Sequence, residues 1–241
     1  MTYLISVSYD GSKYDGLQRL KNNKTIQGEL EDVLTKMNEE FVHVKSAGRT
    51  DKGVHAYDQK CQFDIKKETN PYKLRYYINN ATSKYIYINA CKVIEDKSFH
   101  VRHSVKSKTY LYKINVGEYS PILNDYVYNY CKNIDIQKIK RISKLFLGLH
   151  NYKAFVTGKN DTYISEIKEI KIYKEENVLY IEISGKSFYT YMIRNIIKIL
   201  LMYGEGLVEE KTIKVMLDSG IKLIEYGPAP ASGLYLKKVE Y

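Results

Sequence analysis

Ser46-Ala47-Gly48-Arg49-Thr50-Asp51-Lys52-Gly53-Val54-His55-Ala56 places one carboxylate between two glycines, with an arginine two residues ahead of it. Its flanks, Phe41 to Val44 and Cys61 to Ile65, alternate apolar and polar residues with the period of a strand. The run is therefore expected on the turn between two strands. Gly48 and Gly53 let the backbone bend sharply or approach a ligand, which a Cβ would prevent. Asp51 is thereby presented on a connection held by scaffold strands, where reactive groups concentrate. A lone Gly-x-x-Asp also fits an Asx-type turn with a satisfied carboxylate. Eleven residues of this composition ask for more than a turn.

Outward from this run, the N-terminal side begins with a strand, Thr2 to Tyr9, and a helix from about Thr25 with Ile26, Leu30, Val33, Leu34 and Met37 on one face. Strands at Phe41 to Lys45 and Tyr57 to Ile65 flank the Asp51 turn. A short helix, capped by Asn70-Pro71, runs to about Asn80, and Tyr85 to Ile94 is a fourth strand. The order is β-α-β-β-α-β. The second half repeats it with a strand at Thr109 to Val116, a helix at Ile136 to Leu149 and a hairpin of Ile164 to Tyr173 with Val178 to Ser184. Helices at Phe188 to Tyr203 and Lys211 to Asp218 follow, and Leu234 to Val239 closes as a strand. Two split β-α-β units predict an α+β protein of two ferredoxin-like halves. The first, residues 1–104, carries the Asp51 loop; the second is residues 105–241. Joining edge to edge would remove two exposed sheet edges and leave a basic cleft.

At 241 residues the chain is long enough for a sizeable core. Its 38 Lys and Arg exceed 28 Asp and Glu, a net charge of +10 that favours a polyanionic partner, with solubility as the other reading. The 25 tyrosines, in a chain without tryptophan, alternate along strands as packing residues, with a few left to stack on bases. Cys61, Cys91 and Cys131 lie far apart and share no metal-ligand spacing, so reduced thiols in a cytoplasmic protein are expected. Met1 leads directly into a strand, so no signal peptide is expected. The most apolar helix is interrupted by Arg194, Asn195 and Lys198, so no membrane span is expected. No His/Cys cluster points to zinc or another metal.

The Ser46 to Ala56 run resembles the catalytic signature of the tRNA pseudouridine synthase A family. Five further motifs resemble that family in the same order. They are Tyr9 to Tyr14 with Gln18-Arg19, Phe99-His100-Val101-Arg102, Tyr110-Leu111-Tyr112, Phe188 with Met192 to Asn195, and Ala229 to Leu236. The resemblance implies a central antiparallel sheet with helices on one side and a cleft across it. It implies Asp51 as nucleophile, Arg194 as its cationic partner and Tyr110 at the target base. It also implies a homodimer that isomerises uridine to pseudouridine, most often in the anticodon stem-loop of tRNA. By position alone, Arg194 shares a polar helix stripe with Thr190 and Lys198, and alternation cannot choose between Tyr110 and Tyr112.

The implied reaction breaks the bond from ribose C1′ to N1 and joins C5 to C1′, with no redox change, so no cofactor is expected. One carboxylate suffices to stabilise or trap the positive sugar centre. Arg49 is expected at a phosphate or in the gap left by an extruded uridine. Lys13, Arg19, His55 and Arg102, with His100, Lys106 and Lys108, are further candidate RNA contacts. Leu17, Asn80 to Lys84 and Asp161 to Ser165 depart from the family pattern outside the reaction centre. They leave open the same chemistry on ribosomal or another structured RNA. A non-catalytic RNA-binding protein is the remaining alternative.

Overall fold

The computed structural model describes residues 1–241 as a mixed α+β protein of ten strands and five α-helices. In chain order they are β1 Thr2–Tyr9, α1 Ile26–Asn38, β2 Lys45–Ser46, β3 His55–Asp64, α2 Pro71–Ala81, β4 Ile86–Val93, β5 Ser107–Asn115 and β6 Tyr128–Asn129. Then follow α3 Ile136–Ser143, β7 Gly148–Asn151, β8 Ile164–Glu175, β9 Val178–Gly185, α4 Met192–Gly204, α5 Glu210–Ser219 and β10 Leu234–Glu240. The chain divides into two compact units, Met1–Lys106 with Tyr235–Tyr241, and Ser107–Leu234. These differ from the expected halves, 1–104 and 105–241, chiefly in the last seven residues. β10 runs parallel to β3, with Tyr235 opposite His55 and Leu236 opposite Ala56.

In the first unit the strands lie in the order β4-β1-β3 with antiparallel pairing throughout. β3 shares its other edge between β10 at its start and β2 further along, where Lys45 faces Gln62. The order β4-β1-β3-β2 is the ferredoxin-like arrangement that a β-α-β-β-α-β chain predicts. Helix caps follow the sequence. The Thr25 side chain accepts from Gly28 N at 3.2 Å, and Asn70 accepts from Tyr72 N with Pro71 at the first helical position. Tyr3, Ile5, Val7 and Phe63 of the sheet and Leu30, Leu34, Leu74 and Ile78 of the helices are almost wholly buried.

The strand expected over Phe41 to Lys45 forms only at Lys45–Ser46. Its alternation is present, Val42 and Val44 being buried between exposed neighbours. The donors go elsewhere: Val42 N bonds Thr35 Oγ1 and Val44 N bonds Glu31 Oε1, both at 3.0 Å. Side chains of α1 thus stand in for a neighbouring strand.

The second unit orders its strands β5-β9-β8-β7, all antiparallel, with β6 running parallel to β5. The helix expected over Ile136 to Leu149 ends at Ser143, continues as a 3-10 turn over Lys144–Phe146, and gives way to β7. Gly148, at φ +94°, turns the chain out of the helix, and Tyr152 Oη donates to Phe146 O at 2.6 Å. The helix expected from Phe188 begins instead at Met192, with Tyr191 at its N-cap in the left-handed region (φ 62°). Eight of the 13 residues of α4 are buried, and each fully buried Ile or Leu contributes roughly 1.5–3 kcal/mol. No helix of the protein is long and apolar enough to cross a membrane.

Candidate active site

Asp51 lies half-buried on the connection between β2 and β3. Val54 N closes the turn on Asp51 O at 3.1 Å, and Gly53 supplies the positive φ of +80°. Gly48 does not adopt a positive φ; its carbonyl accepts from Gln59 Nε2 at 2.9 Å. Thr50 anchors the other flank. Its hydroxyl meets Tyr9 Oη at 2.7 Å and its carbonyl accepts Leu17 N at 3.1 Å, both groups being shielded from water. The loop after β1 presses on this turn closely enough to require glycine. A Cβ on Gly11 would stand 1.9 Å from Val54 O, and one on Gly16, at φ +98°, would stand 3.1 Å from Thr50 O. The backbone on both sides of Asp51 is therefore clamped, which fixes where its carboxylate can point.

Beside the turn, His55 is buried, with Nδ1 3.2 Å from Gly11 N and 3.3 Å from Asp10 Oδ1. Its ring stacks on Tyr235 (4.6 Å, 19°), which stacks in turn on Tyr57 (5.1 Å, 14°). His55 is thus part of the packing under the turn, while Tyr57 keeps 46% of its surface exposed. Lys13 sits half-buried at the end of the 3-10 turn Gly11–Lys13, and Arg49 is exposed. Arg19 is held on α1: its Nη1 is 2.8 Å from Asp32 Oδ1, 3.2 Å from Glu31 Oε2 and 3.3 Å from Gly28 O. Arg102 is exposed on the turn after β4 and is not brought to Asp51 by any bond within this unit.

In the second unit, Tyr110 and Tyr112 share a face of β5 with different fates. Tyr112 is wholly buried and donates its hydroxyl to Pro230 O at 2.6 Å; burial pushes its pKa well above the usual tyrosine value. Tyr110 is 8% exposed and meets Phe188 edge to face at 5.3 Å. Arg194 stands in the first turn of α4, its Nε donating to Ala229 O at 2.6 Å while Ala229 N donates to Arg194 O at 3.2 Å. Its guanidinium lies 4.8 Å over the ring of Tyr191. This replaces the solvated-stripe reading: Arg194 is half-buried, its side chain oriented by one bond to a backbone carbonyl and by a ring. The structure thus brings Asp51 and His55 into one packed group, and Arg194 together with the Ala229-Pro230 segment and Tyr112 into another.

Tyr9, Tyr191 and Tyr235 support these groups and were not singled out by sequence reasoning. Tyr9 and Tyr235 lie inside the quoted motifs, so their position was legible but not their role. The left-handed backbone of Tyr191 has no signal in residue type, since tyrosine rarely adopts it.

A family model described as tRNA pseudouridine synthase matches residues 5–104 and 142–241, which include Asp51 and Arg194 but not Tyr110. The chain is 35% identical over 243 residues to tRNA pseudouridine synthase A of Malacoplasma penetrans, with all of both chains covered. It is 36% identical over 239 residues to tRNA pseudouridine synthase A of Clostridium kluyveri, covering 98% of this chain and 97% of that one. It is 32% identical over 243 residues to tRNA pseudouridine synthase A 2 of Bacillus cereus, covering 99% of each. With a glycine-clamped aspartate inside the matched span and full-length similarity on either side of it, the chain belongs to the tRNA pseudouridine synthase family, a family of RNA-modifying isomerases.

Proposed function

We propose that this protein isomerises uridine to pseudouridine in the anticodon stem-loop of tRNA, with Asp51 as nucleophile, Arg194 as its cationic partner and Tyr110 at the target base. The observation that carries the reading is the clamped turn holding Asp51, inside a run that matches the family on both sides. The N1–C1′ bond breaks with its electron pair going to N1, and an Asp51 oxygen bonds C1′. The detached uracil turns, C5 attacks C1′ and releases the carboxylate. The proton on C5 is then lost and N1 gains one, so the product is an isomer and nothing is oxidised. A guanidinium beside the carboxylate keeps it ionised in a water-poor pocket. A target uridine inside a folded stem must leave the stack to be reached, and the exposed Arg49, two residues before Asp51, fills the gap. The protein acts as a cytoplasmic homodimer, one subunit holding the tRNA body while the other presents the active site.

Tritium release from a tRNA transcript labelled at uridine C5 tests the chemistry, because the C5 hydrogen leaves once per turnover. Asp51→Asn is expected to lower release by a factor on the order of 10³ or more while leaving RNA binding intact. Unchanged turnover would remove Asp51 from the mechanism. Mapping pseudouridines in cells with and without the protein tests the target, and loss confined to ribosomal RNA would overturn the tRNA assignment. A sedimentation run showing only monomer at working concentration would overturn the dimer.

A further inference from the structure

The turn after β4, residues 99–106, gathers basic side chains that make no ion pair. His100 and His103 lie ring to ring at 4.4 Å. Arg102 and His103 are exposed on the same turn, and exposed Lys45, at the start of β2, is near enough to act electrostatically on His100. The position follows from the ladder. Lys45 faces Gln62 across β2 and β3, and Gln62 Oε1 accepts Val101 N at 2.9 Å, which pins the turn beside Lys45. Two carboxylates near the turn have partners of their own. Asp96 accepts from Ser98 N and Oγ, at 2.8 and 2.6 Å, and Glu240 pairs with Lys238. The C-terminal residue, Tyr241, meets the turn with its ring against Phe99 and its hydroxyl on Val101 O. Lys45, Arg102 and His103 make no ion pair.

Like charges left together without a counter-ion are destabilising, so a cluster of this kind is satisfied by an anion from outside. We propose that Lys45, His100, Arg102 and His103 form a second RNA-backbone phosphate site, remote from the reaction centre. Gln62, at this end of β3, lies seven positions from His55 at the Asp51 end, which places the site roughly 20 Å from the catalytic turn. That is several nucleotides away. The site grips the body of the substrate and does not touch the reacting uridine.

The two histidines differ in what they offer a phosphate. His100 Nδ1 accepts the backbone N–H of Arg102 at 3.1 Å and of His103 at 3.4 Å, so its proton sits on Nε2. Charging His100 would set an N–H against those two donors. Burial and the neighbouring cations also lower its pKa from the usual histidine value. His100 therefore serves as a neutral donor. The exposed His103 ring carries no such restraint, so its N–H is open to a phosphate oxygen.

The inference rests on the reading of this chain as an RNA enzyme, and its test separates the two. Binding of an unmodified tRNA transcript is measured against salt, with tritium release followed in parallel. Wild-type protein that neither binds nor modifies RNA overturns the enzyme reading itself. Given binding, Lys45→Gln with Arg102→Gln is expected to reduce the slope of log K against log salt by about 1 to 2, and to weaken binding by roughly fivefold per lost contact at 150 mM salt. His103→Ala is expected to weaken binding by less than either of those changes. The wild-type His103 ring resonance should shift when RNA is added. Inorganic phosphate at millimolar concentration serves as the second probe. A shift of that resonance with RNA and not with phosphate assigns the site to the polymer backbone. A salt slope unchanged in the folded variants, or a His103 resonance blind to RNA, overturns the proposal.

Discussion

Tyr110 and Tyr112 stand two residues apart on one face of β5, and the structure separates what alternation could not. The buried Tyr112 commits its hydroxyl to Pro230 O on the exposed segment beside it. That bond helps hold the segment whose Ala229 orients Arg194. Tyr112→Phe removes this bond and is expected to cost about 0.5–1.5 kcal/mol of stability. Its turnover, measured on protein that remains folded, should stay near wild type. Tyr110→Phe should do the reverse, lowering tritium release at least tenfold with little change in melting temperature. A pair of thermal melts and release assays decides it, and the opposite pattern would move the proposed base contact to Tyr112. The glycines also divide at this scale. Gly53 was readable as a turn residue, whereas the need for glycine at Gly11 and Gly16 comes from loops pressing together across 34 or more residues of chain. Residue type alone carries no trace of such an approach.

Among the elements, the stretch from Phe41 to Lys45 shows how a correct pattern can mislead about its partner. Period-two burial is real there, but the ladder is supplied by α1, and Glu31 is the centre of it. That carboxylate is 1% exposed and accepts from Val44 N at 3.0 Å and from Gln27 Nε2 at 2.8 Å, with His43 Nδ1 at 2.9 Å and Arg19 Nη1 at 3.2 Å. Arg19, read from sequence as a candidate RNA contact, is held in this group. Glu31→Ala leaves the buried Val44 donor unpaired and Arg19 without its inner partner, and should cost about 3 kcal/mol in urea denaturation. Glu31→Gln keeps one acceptor and should lose less than half of that. Equal stability in both variants would show that the β2 approach does not depend on α1. Strands β1, β4, β8 and β9 and helices α1, α2 and α5 were legible within two residues at each end, because long periodic stretches with caps mark themselves. The starts of α4 and β7 were not. Tyr191 and Gly148 set them through backbone angles that sequence pattern does not encode.

At the scale of the whole molecule, the proposed machinery is divided between chain segments that fold into different units: Asp51 in one, Tyr110 and Arg194 in the other. Such a division makes the proposed ion pair testable by coupling, without any appeal to distance. Residues that act as one unit lose their joint contribution when either is changed, so their combined effect falls short of the sum. Asp51→Glu, Arg194→Lys and the double variant keep both charges while disturbing the geometry, which leaves measurable turnover. If Arg194 works only by holding the carboxylate, kcat/KM of the double variant should lie close to that of the worse single variant, a coupling of about 1.5 kcal/mol or more. Independent roles, such as Arg194 gripping phosphate while Asp51 meets the sugar, predict effects that add within about 0.5 kcal/mol. Binding measured on the same four proteins distinguishes the cases further. A phosphate contact shows in the salt dependence of RNA affinity, whereas an internal partner of Asp51 shows only in turnover. Additive losses together with a shallower salt slope for Arg194→Lys would remove Arg194 from the reaction centre and place it among the residues that hold the RNA.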